Sequence, residues 1–351
     1  MNRPLKPLVP EDIKHPRAST YFFRAAVATL RARALKCEPE QAARDLFERD
    51  AVTPILLRAA SSTATISNTT WAGALAATAI EDLVLEISSM SAAAALMQKG
   101  LKLDFGAYAQ IRAPGRIVDG NDGGSWVAEG NPVVVRAQRI TAGALLQPRK
   151  LILITAFTSE ILAQSNLEAV SRAIIGEGLS LKLDATMFDA NPGDASRPPG
   201  LLNGVAGLTP TAGGGLNALQ GDLKQLMAAL VATGGGRDPT IIARPEQALS
   251  LALVAGPKFD IPILRSSALP AGTVIMIEAS SLASAVDNVP KFEVGAYPLL
   301  TYDDTSPPAD PMTGAPTRSA FQTDSLGLRA RLICSWGLRA PHIAWLSGAT
   351  W

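Results

Sequence analysis

The amino-acid sequence predicts an α+β protein organised around one long strand and one long helix. The strand signal runs from Leu326 to Leu338, where every second residue is apolar, as in a strand with one buried face. The helix signal follows a short apolar strand at Lys150–Phe157 and extends from Ser159 to about Phe188. A third observation is the polar segment 105–150, which is typical of an extended hairpin.

The first element, residues 1–104, is predicted to be a helical arm and linker. Thr20–Leu35 and Pro39–Arg49 have helical patterns, the second with a proline in its first turn. Residues 1–58 are rich in charge, which fits either a solvated arm or an extension that binds a neighbouring molecule. Apolar residues at three- and four-residue spacing predict a further helix over 74–98, with Gly100 as its C-cap.

The hairpin is predicted from a cluster of turn-forming residues at Asp119–Gly124 and a β-branched run at Val133–Val135. The polar residues Arg136 and Arg139 follow that run, so at least one face of the strand is expected to be wet. A long polar hairpin is only marginally stable alone. We therefore expect it to lie on a support, and a neighbouring subunit can provide one.

In the long helix, Ser159 is a candidate N-cap, and the apolar residues Leu167, Val170, Ile174 and Leu181 form one stripe. Gly176 and Gly178 lower its helix propensity, which predicts a bend or a close contact at that point.

Residues 201–320 are predicted to form a separate region of mixed helix and strand. Its elements are the helices Asn217–Thr233 and Pro245–Val254 and the strands Thr240–Ala243 and Thr273–Ile277. Tyr302–Arg318 is rich in Pro, Asp and Thr, which predicts a surface loop.

Three arginines, Arg329, Arg331 and Arg339, are predicted to share the face of the last strand that is opposite to its apolar face. They can form a solvated basic face or contact carboxylates of a neighbour.

The overall composition excludes several classes of protein. The chain of 351 residues has a net charge of +1, without the basic excess that is usual for nucleic-acid binders. No apolar run reaches the length of a membrane span, and the N-terminus lacks the apolar core of a signal peptide. Cys37 and Cys334 are expected to be reduced thiols, so the sequence predicts a protein made and used in a cytoplasm.

No constellation of catalytic residues is recognisable in the sequence. There are two histidines, no G-x-S-x-G elbow and no Walker A motif. Two cysteines and two histidines cannot by themselves compose a zinc cluster. We therefore expect no enzymatic activity, no cofactor and no metal.

Five short motifs follow one another along the chain: Ser125–Gly130, Leu146–Leu151, Thr158–Leu162, Pro199–Leu202 and Phe321–Asp324. Their order and spacing resemble the major capsid proteins of tailed bacteriophages, the Hong Kong 97-type fold. The resemblance covers roughly residues 100–351. It departs from the family pattern at Asp189–Arg197, where many members have a shorter glycine-rich turn.

The resemblance implies the parts of that capsid fold. These are an N-terminal arm (1–104), an extended hairpin called the E-loop (105–150), a P-domain with the long spine helix (151–200), an α/β A-domain (201–320) and a C-terminal return to the P-domain (321–351).

It also implies a function. Copies of the chain would assemble into pentamers and hexamers of an icosahedral shell around packaged double-stranded DNA, touched non-specifically by the inner face. Scaffold, portal and decoration proteins are further implied partners, and a membrane is not. The location is the virion, after assembly in the bacterial host cytoplasm. The alternatives are an encapsulin-like shell around a protein cargo, which shares the fold, and an unrecognised hydrolase.

Contacts between subunits are expected on the hairpin and on the last strand. The candidate residues are Trp126, Glu129, Arg136, Arg139, Arg329, Arg331 and Arg339.

Overall fold

The structure is a computed structural model of the 351-residue chain. It describes residues 18–47, 50, 52–59, 90–105, 110–116, 126–131, 140–158, 160, 167–255, 259–286, 291–295, 299–301, 317–319 and 324–351.

Three helices open the described chain: α1 (Ala18–Leu35), α2 (Pro39–Leu46) and α3 (Val52–Ala59). The two helices predicted from 20 and 39 onward are confirmed, whereas α3 was not predicted. Asp50 caps α3 by accepting hydrogen bonds from the backbone N–H groups of residues 52 and 53 at 2.9 and 3.1 Å. The same carboxylate pairs with Arg24 of α1 at 3.0 Å and so ties the two helices together.

Helix α4 (Ala92–Lys99) corrects the helix predicted over 74–98. Ser91 is its N-cap, with an extended backbone and a hydroxyl that accepts from the Ala94 N–H at 3.0 Å. The helix therefore starts at Ala92 and does not continue through Met90 and Ser91, because the Ser91 side chain takes one of the first backbone donors. Residues 74–89, which are most of the predicted span, lie outside the described residues, and Gly100 is the C-cap as expected.

The large sheet is built around the long C-terminal strand. Its strands are β1 (Leu101–Asp104), β4 (Arg149–Thr158), β8 (Leu282–Val286), β9 (Lys291–Gly295) and β12 (Ser325–Leu338). Their order is β1-β8-β12-β4, with β9 also paired to β12. The long strand predicted from period-two spacing is confirmed, and it is central because β4 lies along one of its edges and β8 and β9 along the other.

The spine helix, α5 (Leu167–Met187), covers one face of this sheet. At about 1.5 Å per residue it is about 30 Å long. Ile175 and Leu179 of the helix lie in one apolar core with Leu328 and Leu332 of β12. The apolar face of β12 is buried as predicted, and burial of such residues is the main stabilising contribution to this part of the molecule.

The small sheet lies beside this unit. Its strands are β5 (Pro239–Ala243), β6 (Ile263–Arg265), β7 (Val274–Glu278) and β13 (Ile343–Leu346), in the order β13-β7-β5-β6. The helices α6 (Gly215–Ala232) and α7 (Pro245–Ala255) complete it. The two helices and the β5 and β7 strands predicted from the sequence are confirmed.

Two further strand pairs complete the fold. The hairpin strands β2 (Ile111–Arg116) and β3 (Ile140–Leu146) are antiparallel, and so are β10 (Leu299–Thr301) and β11 (Thr317–Ser319). Most of the predicted surface loop, 302–316, lies outside the described residues, and its end at Arg318 belongs to β11.

The chain crosses between the sheets at places that the sequence did not indicate. Strands β8 and β9 come from the 201–320 segment but pair with β12 in the large sheet. Strand β13 comes from the 321–351 segment but pairs with β7 in the small sheet. Strand partners depend on tertiary packing, so a local pattern of apolar residues predicts the strand and not its sheet.

Three tryptophans join separate parts of the chain through their indole N–H groups. Trp336 donates to the carbonyl of Pro199 at 2.9 Å and Trp345 to the carbonyl of Val205 at 2.9 Å. Trp351 donates to the buried carboxylate of Asp222 on α6 at 2.7 Å.

Candidate assembly interface

The base of the hairpin is anchored on its own subunit. Leu146 of β3 and Ala113 of β2 share a small apolar core with Ala283 and Ala285 of β8. A Cβ atom at Gly337 would collide with the Cβ of Ala144, so the close approach of β3 to β12 requires glycine there.

Arg339, a predicted contact residue, belongs to this anchor. Its Nε donates to the carbonyl of Pro114 in β2 at 2.8 Å. The side chain therefore holds the hairpin of its own chain, a role that the sequence did not indicate. Arg136 and Arg139 lie in 132–139, outside the described residues.

The segment Trp126–Asn131 is a turn that presents an indole to solvent. The Asn131 N–H donates to the carbonyl of Ala128 at 3.1 Å, and Gly130 has a φ of 81°, which favours glycine. Trp126 is fully exposed at 104% of its reference area, and Glu129 is exposed as well. Tryptophan is enriched among the residues that carry binding energy at interfaces, so this exposed indole is a candidate anchor for a binding surface.

The outer face of the large sheet, opposite the spine helix, is only half covered. Ile152 and Ile154 of β4 are 45% and 60% exposed. They stand opposite Arg331 and Arg329 of β12 in the antiparallel register, so all four share this face.

The two arginines on this outer face have different surroundings. Arg329 is paired in register with Glu293 of β9. No described residue accepts a hydrogen bond from the buried Nε of Arg331, although the residue as a whole is partly exposed. The face that was predicted to be basic thus carries two arginines, Arg329 and Arg331, beside two exposed isoleucines. It is partly apolar and only partly solvated.

The apolar stripe predicted on the spine helix faces outward. Val170, Ile174 and Leu181 are 45%, 42% and 56% exposed, while Ile175 and Leu179 are buried. The helix is apolar on two sides, and the sheet covers only one of them. The close approach of β4 accounts for the glycine at position 178 of the helix, because a Cβ there would lie 3.0 Å from Cδ2 of Leu153.

A buried carboxylate that the sequence did not single out joins three elements. Asp184 of the spine helix is 4% exposed and accepts from the Ser91 hydroxyl at 2.5 Å and from the Ala93 N–H at 2.9 Å. It also accepts from the Ala92 N–H at 3.2 Å and from the Ser266 hydroxyl at 2.6 Å. Its charge lies at the N-terminus of α4, where the helix dipole favours an anion.

A cleft of about 370 Å³ lies where the start of β4, the end of the spine helix and the loop after it meet. The residues that line it are Arg149, Lys150, Leu151, Lys182, Leu183, Thr186, Ser196, Arg197, Pro198, Cys334 and Trp336. Burial raises the pKa of the Cys334 thiol to about 12, so this thiol is neutral at physiological pH and is a poor nucleophile.

Within the described part of the chain, no group of three or more His, Cys, Asp or Glu side chains is placed to hold a metal ion. No described helix combines the length and the apolar character needed to cross a membrane. His342 lies with Nδ1 at 3.2 Å from the hydroxyl of Thr233, a contact that joins two loops of the small-sheet region.

No protein-family model matches the chain. The capsid polyprotein of Pseudomonas phage PAJU2 is similar to it, with 25% identity over 334 residues. The match covers 85% of this chain and 48% of the polyprotein, so the chain spans about half the length of that relative.

Solved structures share the architecture at lower identity. A chain from Mycobacterium phage Cain has a TM-score of 0.52 at 14% identity, over 73% of this chain and 90% of that chain. A chain from Mycobacterium phage Adephagia has a TM-score of 0.51 at 13% identity, over 73% and 89%. A chain from the satellite phage P4 procapsid, in a structure that includes the size determination protein, has a TM-score of 0.50 at 11% identity, over 76% and 98%.

The chain has the fold of tailed-phage capsid proteins. The resemblance drawn from the five motifs is thereby confirmed at the level of the fold. In this fold, the exposed Trp126 belongs to the segment of the chain that connects the hairpin strands β2 and β3. The exposed isoleucines of β4 lie on the large sheet, on the face opposite the spine helix.

Proposed function

We propose that this chain is a structural major capsid protein that assembles with its own copies into the pentamers and hexamers of an icosahedral head. The observation that carries the proposal is the agreement between a capsid fold and a similarity to a capsid polyprotein along 85% of the chain.

The surface of the subunit supports self-assembly. The hairpin turn carries a fully exposed indole, and the outer face of the large sheet exposes Ile152 and Ile154. The spine helix adds the exposed Val170 and Leu181. When a neighbour covers the apolar groups on these proposed contact elements, their removal from water lowers the free energy of the assembly. A closed shell repeats each contact many times, so modest contacts suffice.

The proposed shell encloses the double-stranded DNA of a phage or prophage, and its inner face contacts this DNA non-specifically. With a net charge of +1 the chain as a whole attracts DNA only weakly, so the proposed contacts are weak ones. Scaffold, portal and decoration proteins are the proposed partners in assembly. The finished protein resides in the phage head after assembly in the host cytoplasm.

The role proposed here is structural and not enzymatic. The thiol that lines the described cleft has a raised pKa, and an activated cysteine would need a lowered one.

Electron microscopy of the expressed protein, with gel filtration, tests the proposal. Closed particles of uniform diameter that hold nuclease-protected DNA are expected when the protein is made with its phage partners. Particles filled with a protein cargo instead would identify an encapsulin-like shell. A small monomer that hydrolyses a substrate would overturn the structural role.

A further inference from the structure

The cleft at the end of the spine helix gathers four cations from three separate parts of the fold. They are Arg149 and Lys150 at the start of β4, Lys182 on the spine helix and Arg197 in the loop that follows this helix. None of the described residues that line the cleft is acidic. Because like charges around one opening repel each other, an anion that enters the cleft lowers the electrostatic free energy of this part of the fold.

The two arginines are held in place by contacts that use only part of their N–H donors. Arg149 donates through Nη1 to the carbonyl of Ala195 at 2.6 Å and through Nη2 to Oε1 of Gln147 at 2.7 Å. Both acceptors are neutral, so these contacts leave its charge uncompensated. Arg197 donates through Nη2 to the two carboxylate oxygens of Asp189 at 2.7 and 2.6 Å. A guanidinium has five N–H donors in a planar fork that matches the oxygens of a phosphate group.

Two carboxylates next to the cleft reduce its charge without cancelling it. One is Asp189, which pairs with Arg197. The other is Asp194, which accepts from the Ser196 hydroxyl at 2.6 Å and from the backbone N–H groups of Ser196 and Arg197 at 2.6 and 2.8 Å. These hydrogen bonds hold the pKa of Asp194 below its ordinary value, so it is charged at neutral pH. The four cations still outnumber these two anions, and the cleft is therefore positive.

The negative end of the spine-helix dipole opposes an anion only weakly at this place. The effect of the dipole falls off within the last turn of a helix, and Lys182 lies more than one turn before the final residue, Met187. The carbonyl of Met187 also accepts from the Leu201 N–H at 2.8 Å, so it is already paired. The side-chain charges therefore determine the sign of the potential in the cleft.

The dimensions of the cleft favour a compact ligand. Its volume of about 370 Å³ is near the lower end of the range of about 300–1,000 Å³ that is typical of small-molecule sites. The apolar side chains that line it, Leu183 and Trp336, are 4% and 2% exposed, so they offer little surface to a large apolar body. The accessible groups are mainly the cations, which suits a small oxyanion with several charged oxygens.

We propose that this cleft is a phosphate-binding site, in which the oxygens of one phosphate group accept hydrogen bonds from Arg149, Lys182 and Arg197. The same chemistry has two sources, a phosphate compound free in solution and the backbone of packaged DNA. The site itself goes beyond the proposed function, and only its use for DNA rests on that function.

Thermal unfolding of the unassembled chain tests the site, with inorganic phosphate as the probe and chloride to keep the ionic strength constant. We expect phosphate to raise the melting temperature by about 2–4 °C in a saturable manner. Phosphate also stabilises proteins because it is excluded from their surface, but that effect does not saturate and is the same for all variants.

Substitutions of single lysines assign the effect to the cleft. Lys182→Gln should raise the phosphate concentration that gives half of the shift by about tenfold, and Lys182→Arg should restore most of the affinity. Lys224→Gln, at an exposed lysine of α6, is the matched control and should behave like the parent. A parent protein without a saturable shift, or an equal loss in Lys182→Gln and Lys224→Gln, would overturn the proposal.

Covalent labelling locates the site with a second probe, pyridoxal phosphate. Its aldehyde carbon condenses with a lysine amine to form an imine with loss of water, and borohydride reduces the imine to a stable secondary amine. Peptide mapping should find this label on Lys150 or Lys182, and inorganic phosphate should protect these lysines but not Lys224. Labelling of Lys150 and Lys182 that phosphate does not reduce would refute the site.

Competition with a short DNA duplex separates the two sources of phosphate. A duplex that protects Lys150 and Lys182 from the label, and protects them less at high salt, identifies the DNA backbone as the ligand. A duplex that gives no protection, where inorganic phosphate does, identifies a site for a free phosphate compound. Because these measurements use the unassembled chain, a protein that binds phosphate and forms no particles would refute the shell function alone. A protein that forms particles and shows no protection by phosphate would refute the site alone.

Discussion

The two sheets of this molecule are covered to different extents. In the small sheet every residue of β7 is buried, and so are four of the five residues of β5. Its strands place Ile241 and Met276 in a core with α6 and α7, while Ile242 and Ile275 join the core that contains the spine helix. In the large sheet the residues of β4 alternate, and Ile154 on the outer face is 60% exposed.

The different coverage of the two sheets indicates that the two regions are stabilised in different ways. The small-sheet region is stabilised by contacts within one chain, because helices and strands cover both faces. The outer face of the large sheet and the hairpin have no equivalent cover from the described part of their own chain. We therefore expect substitutions in the first region to act on folding and substitutions in the second to act on assembly.

Truncation of the hairpin is the strongest way to separate folding from assembly. Arg116 and Ile140 are directly opposite in the ladder, so a two-residue Asn-Gly turn can replace 117–139 and join them. We expect this variant to keep its urea midpoint and to form no particles on electron micrographs. Normal particles from the truncated chain would show that the hairpin is dispensable.

A matched pair of core and surface substitutions comes next. Leu226→Ala removes a side chain that is fully buried in the small-sheet core and should lower the free energy of unfolding by about 2–5 kcal/mol. Ile154→Ala should change it in the monomer by less than about 0.5 kcal/mol and yet weaken the particles. Urea titration of the subunit and disassembly of particles measure the two effects, and equal effects in both assays would remove the distinction.

The Asp184 junction should behave as a folding element although it lies on the spine helix, whose other side is exposed. Asp184→Ala leaves two hydroxyls and two backbone N–H groups without their acceptor, so we expect a loss on the order of 3 kcal/mol in the free energy of unfolding. Glu177→Ala, at an exposed carboxylate of the same helix, is the control and should change it little. Similar urea midpoints for the two variants would contradict the role of the junction.

Acid should weaken the small-sheet region through Glu278, which is 4% exposed. Burial by itself would raise the pKa of this carboxyl, but the N–H groups of Gly236, Arg237 and Asp238 and the Ser280 hydroxyl donate to it and lower the pKa below the ordinary value of a glutamate. A depressed folded-state pKa contributes stability that is present above the unfolded-state value and is lost as the pH falls through the folded-state value.

The corresponding variant is Glu278→Gln. It should be less stable than the parent by about 2 kcal/mol at pH 7, and the difference should shrink below a pH of about 4. Urea midpoints measured across this range provide the check. Glu246→Gln, at an exposed carboxylate of α7, serves as the control, and a difference that does not depend on pH would argue against the ionic role of Glu278.

The pattern of apolar residues predicted the elements in which one side meets the core and the other does not. The period-two pattern of β12 and the leucine face of α6 correspond to buried faces, because one side of each element meets the core. The spine helix was harder to interpret, since Val170 and Leu181 are as apolar as the buried Leu179 and Leu183. Periodicity does not distinguish a side that meets the core from a side that can meet another subunit.

The candidate interface was predictable only in part. The motif that contains Trp126 and Glu129 pointed to the hairpin turn, and the structure confirms that both side chains are exposed. Asp184 and the cleft were not predictable, because their partners come from segments far apart in the sequence. For α4, Ser91 could have been recognised from the sequence as an N-cap. The regular apolar spacing over 74–98 suggested instead that the helix continues through this serine.

Because the tryptophans have different surroundings, the intrinsic fluorescence of the subunit can report on assembly. The indoles of Trp336, Trp345 and Trp351 each donate to an oxygen of the same chain, whereas Trp126 is surrounded by water. Indole emission moves to shorter wavelength when water is excluded from the ring. Docking of Trp126 on a neighbour would therefore shift the fluorescence of the native protein towards the blue, and a Trp126→Phe variant would supply the baseline. The kinetics of shell closure could then be followed in real time without an attached dye.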